Sequence, residues 1–341
     1  MNTFNRRHFL KTSIMGGVAA TCLGHEKTIS SIWYPDHTAT RVALTTGDDR
    51  ADIAFRALQP FSEEIKQAIG HRRVVLKPNN VSIEIQLAAT HVDTLEGVLE
   101  FLKSINKLQN VIIAESSGGG RTLDGFHNFG YDRLVSEYPV KLVDLDQEPF
   151  DTMWVFDERD VRPHACRVSQ ILLDRNSYVI SVARMKTHNR VVTTLSLKNI
   201  VFGAPLKYLA DRRSDKPIAH GGGVRGTNYN LYALARQLHP QLALIDGFEG
   251  MEGNGPSRGT PVDHRICLAS QDWLAADRVA IELMGIDFRQ VGYLNYCADA
   301  GLGTAELNKI EILGETLANH IKSYRLPDNI NDQMIWKTPL S

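Results

Sequence analysis

The sequence of 341 residues contains few cysteines, and none of them lies near another. The four are spread over the chain and form no C-x-x-C pair: Cys22, Cys166, Cys267 and Cys297. This scatter argues against a zinc knuckle and against a cysteine-ligated iron–sulfur cluster. If Cys22 leaves with a leader, at most one disulfide can form among the remaining three, so we expect a fold that does not depend on disulfides.

The chain also lacks an excess of charge of either sign. Lys and Arg number 38 against 39 Asp and Glu, which gives a formal net charge of -1. No field of the whole molecule would therefore attract nucleic acid. The 43% of hydrophobic residues and 23% of charged residues are typical of a globular protein with a sizeable core. We expect a folded protein with no nucleic-acid partner.

Three familiar sequence motifs are missing. The glycine-rich segment ESSGGGR at 115–121 fits neither the Walker pattern nor G-x-G-x-x-G, so nucleotide binding is not predicted. Ser116 and Ser117 do not lie in G-x-S-x-G, which makes a serine hydrolase a poor third hypothesis.

The N-terminus carries a targeting pattern. Residues 5–11 read NRRHFLK, and the apolar, glycine-containing run TSIMGGVAATCL follows. This order resembles a twin-arginine signal peptide. The run is shorter than the roughly 20 residues that span a bilayer, so we interpret residues 1–24 as a cleaved signal rather than a stable membrane anchor. The expected partner during export is the twin-arginine translocase, and the expected location is periplasmic or extracellular.

Two other interpretations of the leader fit less well. An amphipathic first helix is disfavoured, because adjacent charges followed by a glycine-interrupted apolar run would make a poor helix. A lipidated Cys22 is disfavoured because Ala19-Ala20-Thr21 is a poor match to what should precede it.

From residue 40 onward, short apolar runs alternate with helical patterns. The predicted strands are 41–46, 73–78, 110–115, 140–145, 178–183, 241–246 and 265–270. The predicted helices are 91–105, about 228–238 and 272–285. This alternation predicts an α/β fold, a mostly parallel or mixed sheet covered by helices, over residues 40–314, with 315–341 as a peripheral C-terminal segment.

Two segments break the alternation. They are residues 147–175 and residues 203–227, of which the second is rich in Lys, Arg, His and Gly. The second segment reads as a mobile basic loop.

Polar or glycine-rich segments follow the predicted strands, where open α/β sheets bind ligands. They are KPNN at 77–80, ESSGGGR at 115–121, RMKTHNR at 184–190, LKN at 197–199 and DGFEGMEGNGP at 246–256. The turn at 115–121 could offer backbone N–H groups to an anion, or it could be a plain tight turn.

The segment RMKTHNR concentrates positive charge. Its alternating Arg184, Lys186, His188 and Arg190 would lie on one side of an extended segment, which suits recognition of an anion. His188 could transfer a proton, because its charge changes near neutral pH. The alternative is a solvated basic loop.

The segment DGFEGMEGNGP supplies several oxygen donors. Asp246 and Glu252 on a glycine-rich backbone could converge on a hard divalent cation such as magnesium or calcium, although the spacing is not that of an EF-hand. The alternative is a purely structural loop.

Taken in order, these segments resemble a known family. The K-P-N, the E-S-S-G-G turn, the K-T-H followed by L-K-N and Gly203, and the D-G-x-x-G-M-E-G-N-G-P segment resemble the domain of unknown function 362 family over roughly residues 40–312. The resemblance implies no particular reaction. Some members carry an added ferredoxin-like cysteine cluster, which this sequence lacks, so a bound iron–sulfur cluster is not carried over.

Two functional hypotheses follow. The first is an exported enzyme that acts on a small anionic substrate, with a cofactor that is unassigned beyond a candidate divalent cation. Its residues are His188 and Lys186 for catalysis, Lys77, Asn79, Ser116, Arg184, Lys198 and Asn199 for substrate binding, and Asp246 and Glu252 for the metal. The alternative is a periplasmic binding or cofactor-carrying protein without turnover. A cleft that unites Lys186 and His188 with the two carboxylates would favour the enzyme, and an open basic groove without carboxylates would favour the binding protein.

Overall fold

A computed structural model describes residues 40–207 and 213–338 of the chain. The predicted signal peptide lies outside these residues. The strands are β1 (Thr40–Thr46), β2 (Arg73–Lys77), β3 (Val111–Glu115), β4 (Val140–Asp144), β5 (Phe150–Asp157), β6 (Arg162–Ser169), β7 (Ser177–His188), β8 (Val192–Thr194), β9 (Leu242–Asn254), β10 (Arg258–Ser270) and β11 (Ile310–Gly314).

Helices connect and cover these strands. They are α1 (Arg50–Leu58), α2 (Ser62–Ile69), α3 (Val92–Ser104), α4 (Thr122–Asn128), α5 (Asp132–Glu137), α6 (Gln170–Leu173), α7 (Ser196–Gly203), α8 (Lys216–Ala219), α9 (Val224–Ala235), α10 (Trp273–Leu283), α11 (Gly292–Asp299) and α12 (Ile330–Gln333).

One mixed sheet organises the fold. Its strand order is β11-β1-β10-β9-β7-β2-β3-β4, and β8 pairs with β7. The run from β9 through β7, β2 and β3 to β4 is parallel, whereas β10 is antiparallel to both β9 and β1. The predicted α/β class with a mostly parallel or mixed sheet is confirmed.

Both faces of the sheet are buried under helices. Within β2, Val75 packs into a core with α7, α9 and α10, while Val74 and Leu76 pack into a second core with α1, α2 and α3. Alternate strand residues point to opposite faces, so a strand covered on both sides is apolar along its whole length. The apolar stripe that predicts a helix at 91–105 is the buried face of α3, where Leu95 and Leu99 are fully buried.

The structure differs from the expectations in three segments. Residues 147–175 hold the antiparallel pair β5–β6 rather than an irregular stretch. RMKTHNR continues β7 as far as His188, and DGFEGMEGN continues β9 as far as Asn254, which pairs with Arg258 of β10. Most of each segment is therefore part of the sheet and held by its hydrogen bonds, whereas a free loop would lack them.

The C-terminal segment packs against the domain. Gln333 is 1% exposed, and its side-chain oxygen accepts a hydrogen bond of 2.7 Å from the backbone N–H of Val192. Tyr324 is also buried. Residues after Gly314 thus contribute to the core beside β7 and β8.

Two further observations bear on the expectations. The three cysteines of the described residues, Cys166, Cys267 and Cys297, are buried and free. Among the helices of the described ranges, none has the length and apolar character needed to cross a membrane.

Candidate functional site

A small cavity lies where strands β2, β3 and β7 end. Parallel strands finish at the same edge of the sheet, so Lys77, Glu115 and His188, which are the last residues of these three strands, come together there. The cavity measures about 210 Å³. Its lining residues are Lys77, Asn79, Asn80, Val81, Glu115, Ser116, Gly118, His188, Thr194, Lys198, Phe202, Gly203, Lys216, His220 and Pro256.

A buried ion pair forms one wall. Lys77 Nζ lies 2.5 Å from Glu115 Oε1 and donates to Pro78 O at 2.7 Å and to Asn199 Oδ1 at 3.2 Å. Glu115 also accepts from the backbone N–H groups of Asn80 at 2.9 Å and Ser116 at 2.8 Å. The single carboxylate that lines the cavity is therefore already paired.

Three cationic or basic side chains surround Phe202, which lines another part of the cavity wall. Lys198 Nζ lies 5.1 Å from the centroid of the Phe202 ring, and the centroid of the His220 ring lies 4.5 Å from it with the two ring planes tilted by 48°. Lys216 Nζ donates to Phe202 O at 3.4 Å. Neither Lys198 nor Lys216 forms an ion pair with a carboxylate of the described residues. This wall carries positive charge that the protein does not neutralise.

Burial changes the acid–base behaviour of both lysines. Loss of hydration, followed by repulsion from Arg190 and Lys216, lowers the pKa of Lys198 to about 7. Burial lowers the pKa of Lys216 to about 8, although the negative charge of Glu115 opposes the shift. Both amines therefore change charge near neutral pH.

The two histidines of the cavity are held in different tautomers. His188 Nδ1 accepts the backbone N–H of Arg190 at 3.0 Å, so a neutral His188 carries its proton on Nε2. His220 Nδ1 lies 2.6 Å from the carbonyl oxygen of Lys216, so a neutral His220 carries its proton on Nδ1. Burial lowers the pKa of His220 to about 3 and lowers that of His188 well below its usual value. Both rings are neutral at physiological pH, one with Nε2 as donor and the other with Nε2 as acceptor.

Two buried polar atoms of the lining residues have no hydrogen-bond partner. They are Asn80 Nδ2 and Thr194 Oγ1, on side chains that are 2% and 1% exposed. An unpaired buried polar group costs about 1–3 kcal/mol, and such groups are few in native proteins. Asn80 and Thr194 therefore each hold one buried polar atom that the described residues do not satisfy.

The comparisons with known proteins identify the family of this chain. The family model described as "Domain of unknown function (DUF362)" matches residues 74–282, more than half of the chain. The chain belongs to this family. The match begins in β2 and ends in α10, so it includes the segments that build the cavity. The resemblance noted from the sequence is confirmed.

Among curated proteins, the DUF362 chain is similar to the thylakoid-associated protein sll1697 of Synechocystis sp., with 24% identity over 217 residues. The aligned part is 63% of this chain and 64% of that protein. The chain therefore spans less than two thirds of the length of this relative.

Five of the ten predicted site residues line the cavity: Lys77, Asn79, Ser116, His188 and Lys198. Asn79 and Ser116 have their side-chain oxygens engaged within the protein. Asn79 Oδ1 accepts from Lys186 Nζ at 2.5 Å, and Ser116 Oγ donates to Asp146 Oδ1 at 2.8 Å.

Three other predicted residues stand behind the lining. Lys186 is fully buried and also donates to Ala88 O at 2.8 Å, and burial lowers its pKa well below the usual value. Asn199 hydrogen-bonds Lys77 O and Ser181 Oγ, both at 3.0 Å. Arg184 donates to backbone carbonyls and lies 3.0 Å from a carboxylate oxygen of Glu249. These residues support the site from behind.

The two predicted metal ligands lie outside the lining and have separate partners. Asp246 accepts from Thr94 Oγ1 at 2.7 Å and lies 3.6 Å from Arg50 Nε. Glu252 accepts from the backbone N–H of Arg325 at 2.9 Å. Within residues 40–207 and 213–338, no group of three or more His, Cys, Asp or Glu side chains is arranged to hold a metal ion. Strands β7 and β9 are neighbours as expected, but His188 does not share its cavity with these carboxylates.

Sequence reasoning missed Lys216 and His220 as site residues. Both lie in the basic segment 203–227, which reads as a mobile loop, whereas the structure places Lys216 in α8 and His220 directly after that helix. The concentration of Lys, Arg and His in this segment was the available signal. It could not show that the segment folds back over the sheet edge.

A larger cleft of about 540 Å³ lies at the C-terminal end of α10. Its charged side chains pair with one another: Arg278 lies 3.0 Å from Glu282, and Arg289 lies 2.8 Å from Asp287. This cleft contains neither of the two lysines described above, so the smaller cavity is the better candidate site.

Proposed function

We propose that this protein is an enzyme that binds a small anionic molecule in the cavity at the ends of β2, β3 and β7 and transfers a proton to or from it. The observation that carries the proposal is the presence of two buried lysines, Lys198 and Lys216, without a carboxylate partner among the described residues. Buried charges in proteins are normally paired. A bound anion would supply the missing partner.

The size of the cavity limits the ligand. The cavity volume is about 210 Å³. Pockets for drug-sized ligands begin at about 300 Å³. The proposed ligand is therefore a compact carboxylate or phosphate rather than a nucleotide or a peptide.

The two histidines provide the means of proton transfer. His220 Nε2 has a free lone pair, and His188 Nε2 has a proton to donate, because each Nδ1 is engaged by the backbone. Neither Nε2 has a hydrogen-bond partner among the described residues. A ligand between them would meet one hydrogen-bond acceptor and one hydrogen-bond donor. The negative charge of that ligand would raise the low pKa of His220, as general-base catalysis by this ring requires.

A non-catalytic binding protein is the second candidate function. The observation that favours it is that the cavity includes neither Asp246 nor Glu252, so these carboxylates cannot act on a molecule bound there. A divalent cation held by Asp246 and Glu252 is a separate proposal, and the Arg50 and Thr94 contacts of Asp246 do not support it.

Titration calorimetry with sodium phosphate and sodium lactate tests anion binding. Replacing Lys198 or Lys216 by Met removes one positive charge, and we expect each change to weaken binding by about tenfold or more, which is about 1.4 kcal/mol. The control is Lys103→Met, because Lys103 has a side chain that is 60% exposed and lies on α3. Equal affinities in all four proteins would refute the anion site.

Deuterium incorporation separates the enzyme from the binding protein. Small carboxylic acids that bind are incubated with the protein in D₂O and followed by NMR. Incorporation at a carbon-bound position that is lost in His220→Gln supports proton transfer by the site. Binding without incorporation supports the non-catalytic alternative.

We also propose that residues 1–24 direct export through the twin-arginine translocase to the periplasm or the extracellular space. The support is the adjacent Arg6 and Arg7 ahead of a short apolar run. Replacing both arginines by Lys keeps the charge and should block export, as judged by immunoblots of cell fractions. Unchanged appearance of the processed protein outside the cytoplasm would contradict the proposal.

A further inference from the structure

The three lysines that line the cavity differ in how their amines are engaged. Lys77 makes three contacts of 3.2 Å or less, and Lys216 donates to the carbonyl oxygen of Phe202. Lys198 Nζ makes no hydrogen bond to a described residue and rests against the face of the Phe202 ring. Its side chain is only 7% exposed. Lys198 is therefore a buried amine that is open to a ligand in the cavity.

The position of Lys198 is fixed by a helix that is anchored at its start. Lys198 is the third residue of α7. The Asp277 carboxylate accepts the backbone N–H groups of Ser196 at 2.8 Å and Leu197 at 3.1 Å, so it caps this helix from α10. Reactive groups on rigid elements are placed more accurately than those on loops. The backbone that carries the amine is thus held in place before a ligand arrives.

The surroundings favour the neutral amine. Lys198 is buried beside cationic neighbours, and its pKa is lowered to about 7, so about half of it is free base at pH 7. A lysine that is desolvated or placed next to another cation becomes a nucleophile at neutral pH. Lys216, with a pKa of about 8, remains mostly protonated at the same pH. One lysine can therefore react while the other holds an anion.

We propose that Lys198 Nζ attacks the carbonyl carbon of a small oxo acid bound in the cavity and forms an imine with it. This inference rests on the anion site proposed above and names its substrate class. The carboxylate of the oxo acid pairs with the Lys216 ammonium. Asn80 and Thr194, whose side chains each carry a buried polar atom without a partner, are among the residues that line the same cavity.

The step balances without any other reactant. The lone pair of the amine forms the C–N bond, and the carbonyl oxygen becomes a hydroxyl group by taking up a proton. The nitrogen loses its two protons, and the hydroxyl group leaves as water. The products are one imine and one water molecule for each amine and carbonyl consumed. The imine then draws electrons from the adjacent carbon, which makes a proton on that carbon easier to remove by a base such as His220 Nε2.

Reductive trapping tests the inference directly. The full-length protein is incubated with sodium pyruvate and sodium cyanoborohydride near neutral pH, digested and mapped by mass spectrometry. We expect the reduced pyruvate adduct on the peptide that contains Lys198, in excess over every other lysine by about tenfold or more, because an ordinary lysine is almost fully protonated at this pH. Lys198→Arg should remove that adduct, whereas Lys103→Arg should leave it unchanged.

Lactate serves as the control ligand because it has the same carboxylate as pyruvate but a hydroxyl group in place of the ketone, so it cannot form an imine. We expect lactate in excess to suppress the adduct on Lys198 while surface adducts persist. If lactate binds but pyruvate leaves no adduct on Lys198 of the wild-type protein, the imine is refuted and the anion site stands. If neither lactate nor phosphate binds and no adduct forms at Lys198, both proposals fail. Because the wild-type peptide map decides the matter, the conclusion does not depend on the folding of a variant.

Discussion

Replacing Gly203 by Ala should displace Lys77 from the cavity wall and lower the free energy of unfolding. Gly203 is the last residue of α7 and lines the cavity. A Cβ atom at this position would lie 2.5 Å from Lys77 Cε and closer still to Lys77 Nζ. The Gly203 backbone needs no left-handed conformation, so the effect comes from this collision alone. The Lys77 side chain must therefore move if the variant is to fold.

The magnitude follows from what Lys77 would lose. Its ammonium is fully buried and holds Glu115 at 2.5 Å, so moving it leaves a buried carboxylate without its partner. Overpacking a core costs about 1–3 kcal/mol, and breaking a buried ion pair costs about 3–5 kcal/mol. Lys77 is displaced rather than removed, so we take the value where the two ranges meet, about 3 kcal/mol.

Urea denaturation followed by circular dichroism measures this loss. The matched control is Gly119→Ala in the neighbouring turn, where a Cβ would meet no atom within 4 Å. We expect the control to change the free energy of unfolding by less than about 0.5 kcal/mol, as surface substitutions usually do. If Gly203→Ala is as stable as Gly119→Ala, Lys77 can move without a loss of stability and the reasoning is refuted.

Three further outcomes are expected. Asp277→Ala should cost about 3 kcal/mol in urea denaturation, because two backbone N–H groups of α7 lose their acceptor, and Asp277→Asn, which keeps one oxygen, should cost less. Burial lowers the pKa of His264 to about 4, so the folded state resists a proton that the unfolded state accepts below about 6.5. His264 alone should therefore lower the free energy of unfolding by about 3 kcal/mol as the pH drops from 6.5 to 4. His264→Phe should flatten that part of the curve of stability against pH, and an unchanged slope would contradict the pKa shift. A reducing agent should leave the melting temperature unchanged, because the described cysteines are free, and a large drop would indicate a structural disulfide.

The sheet could be predicted because its strands are buried on both faces. A strand such as β3, with sequence VIIAE, has no polar alternation, and continuous apolar runs of this kind predict interior strands of an α/β sheet. The lengths of β7 and β9 could not be predicted. Their final residues, from Arg184 to His188 and from Asp246 to Asn254, are polar or glycine-rich and are typical of loops, yet β8 and β10 pair with them. Local composition carries no information about a pairing partner that is distant along the chain.

The location of the candidate site could be predicted more easily than which of its charged side chains remain available to a ligand. The rule that ligands bind beyond the carboxyl ends of parallel strands led to Lys77, Ser116 and His188, which line the cavity. The rule does not say which charges cancel. Glu115 neutralises Lys77, and Asn79 engages Lys186, so two of the three predicted lysines are occupied by the protein itself.

The lysines without a carboxylate partner come from the helices that cover the sheet, not from the strand ends. Lys198 comes from α7 and Lys216 from α8, and both face the Phe202 wall. Lys77 and Glu115 end the neighbouring parallel strands β2 and β3, so they lie side by side and neutralise each other. Because Glu115 already pairs with Lys77, the lysines that α7 and α8 bring to the cavity find no carboxylate partner among the described residues. This division of roles explains why Lys216 escaped prediction, because its burial in the cavity depends on contacts with residues that are distant along the chain.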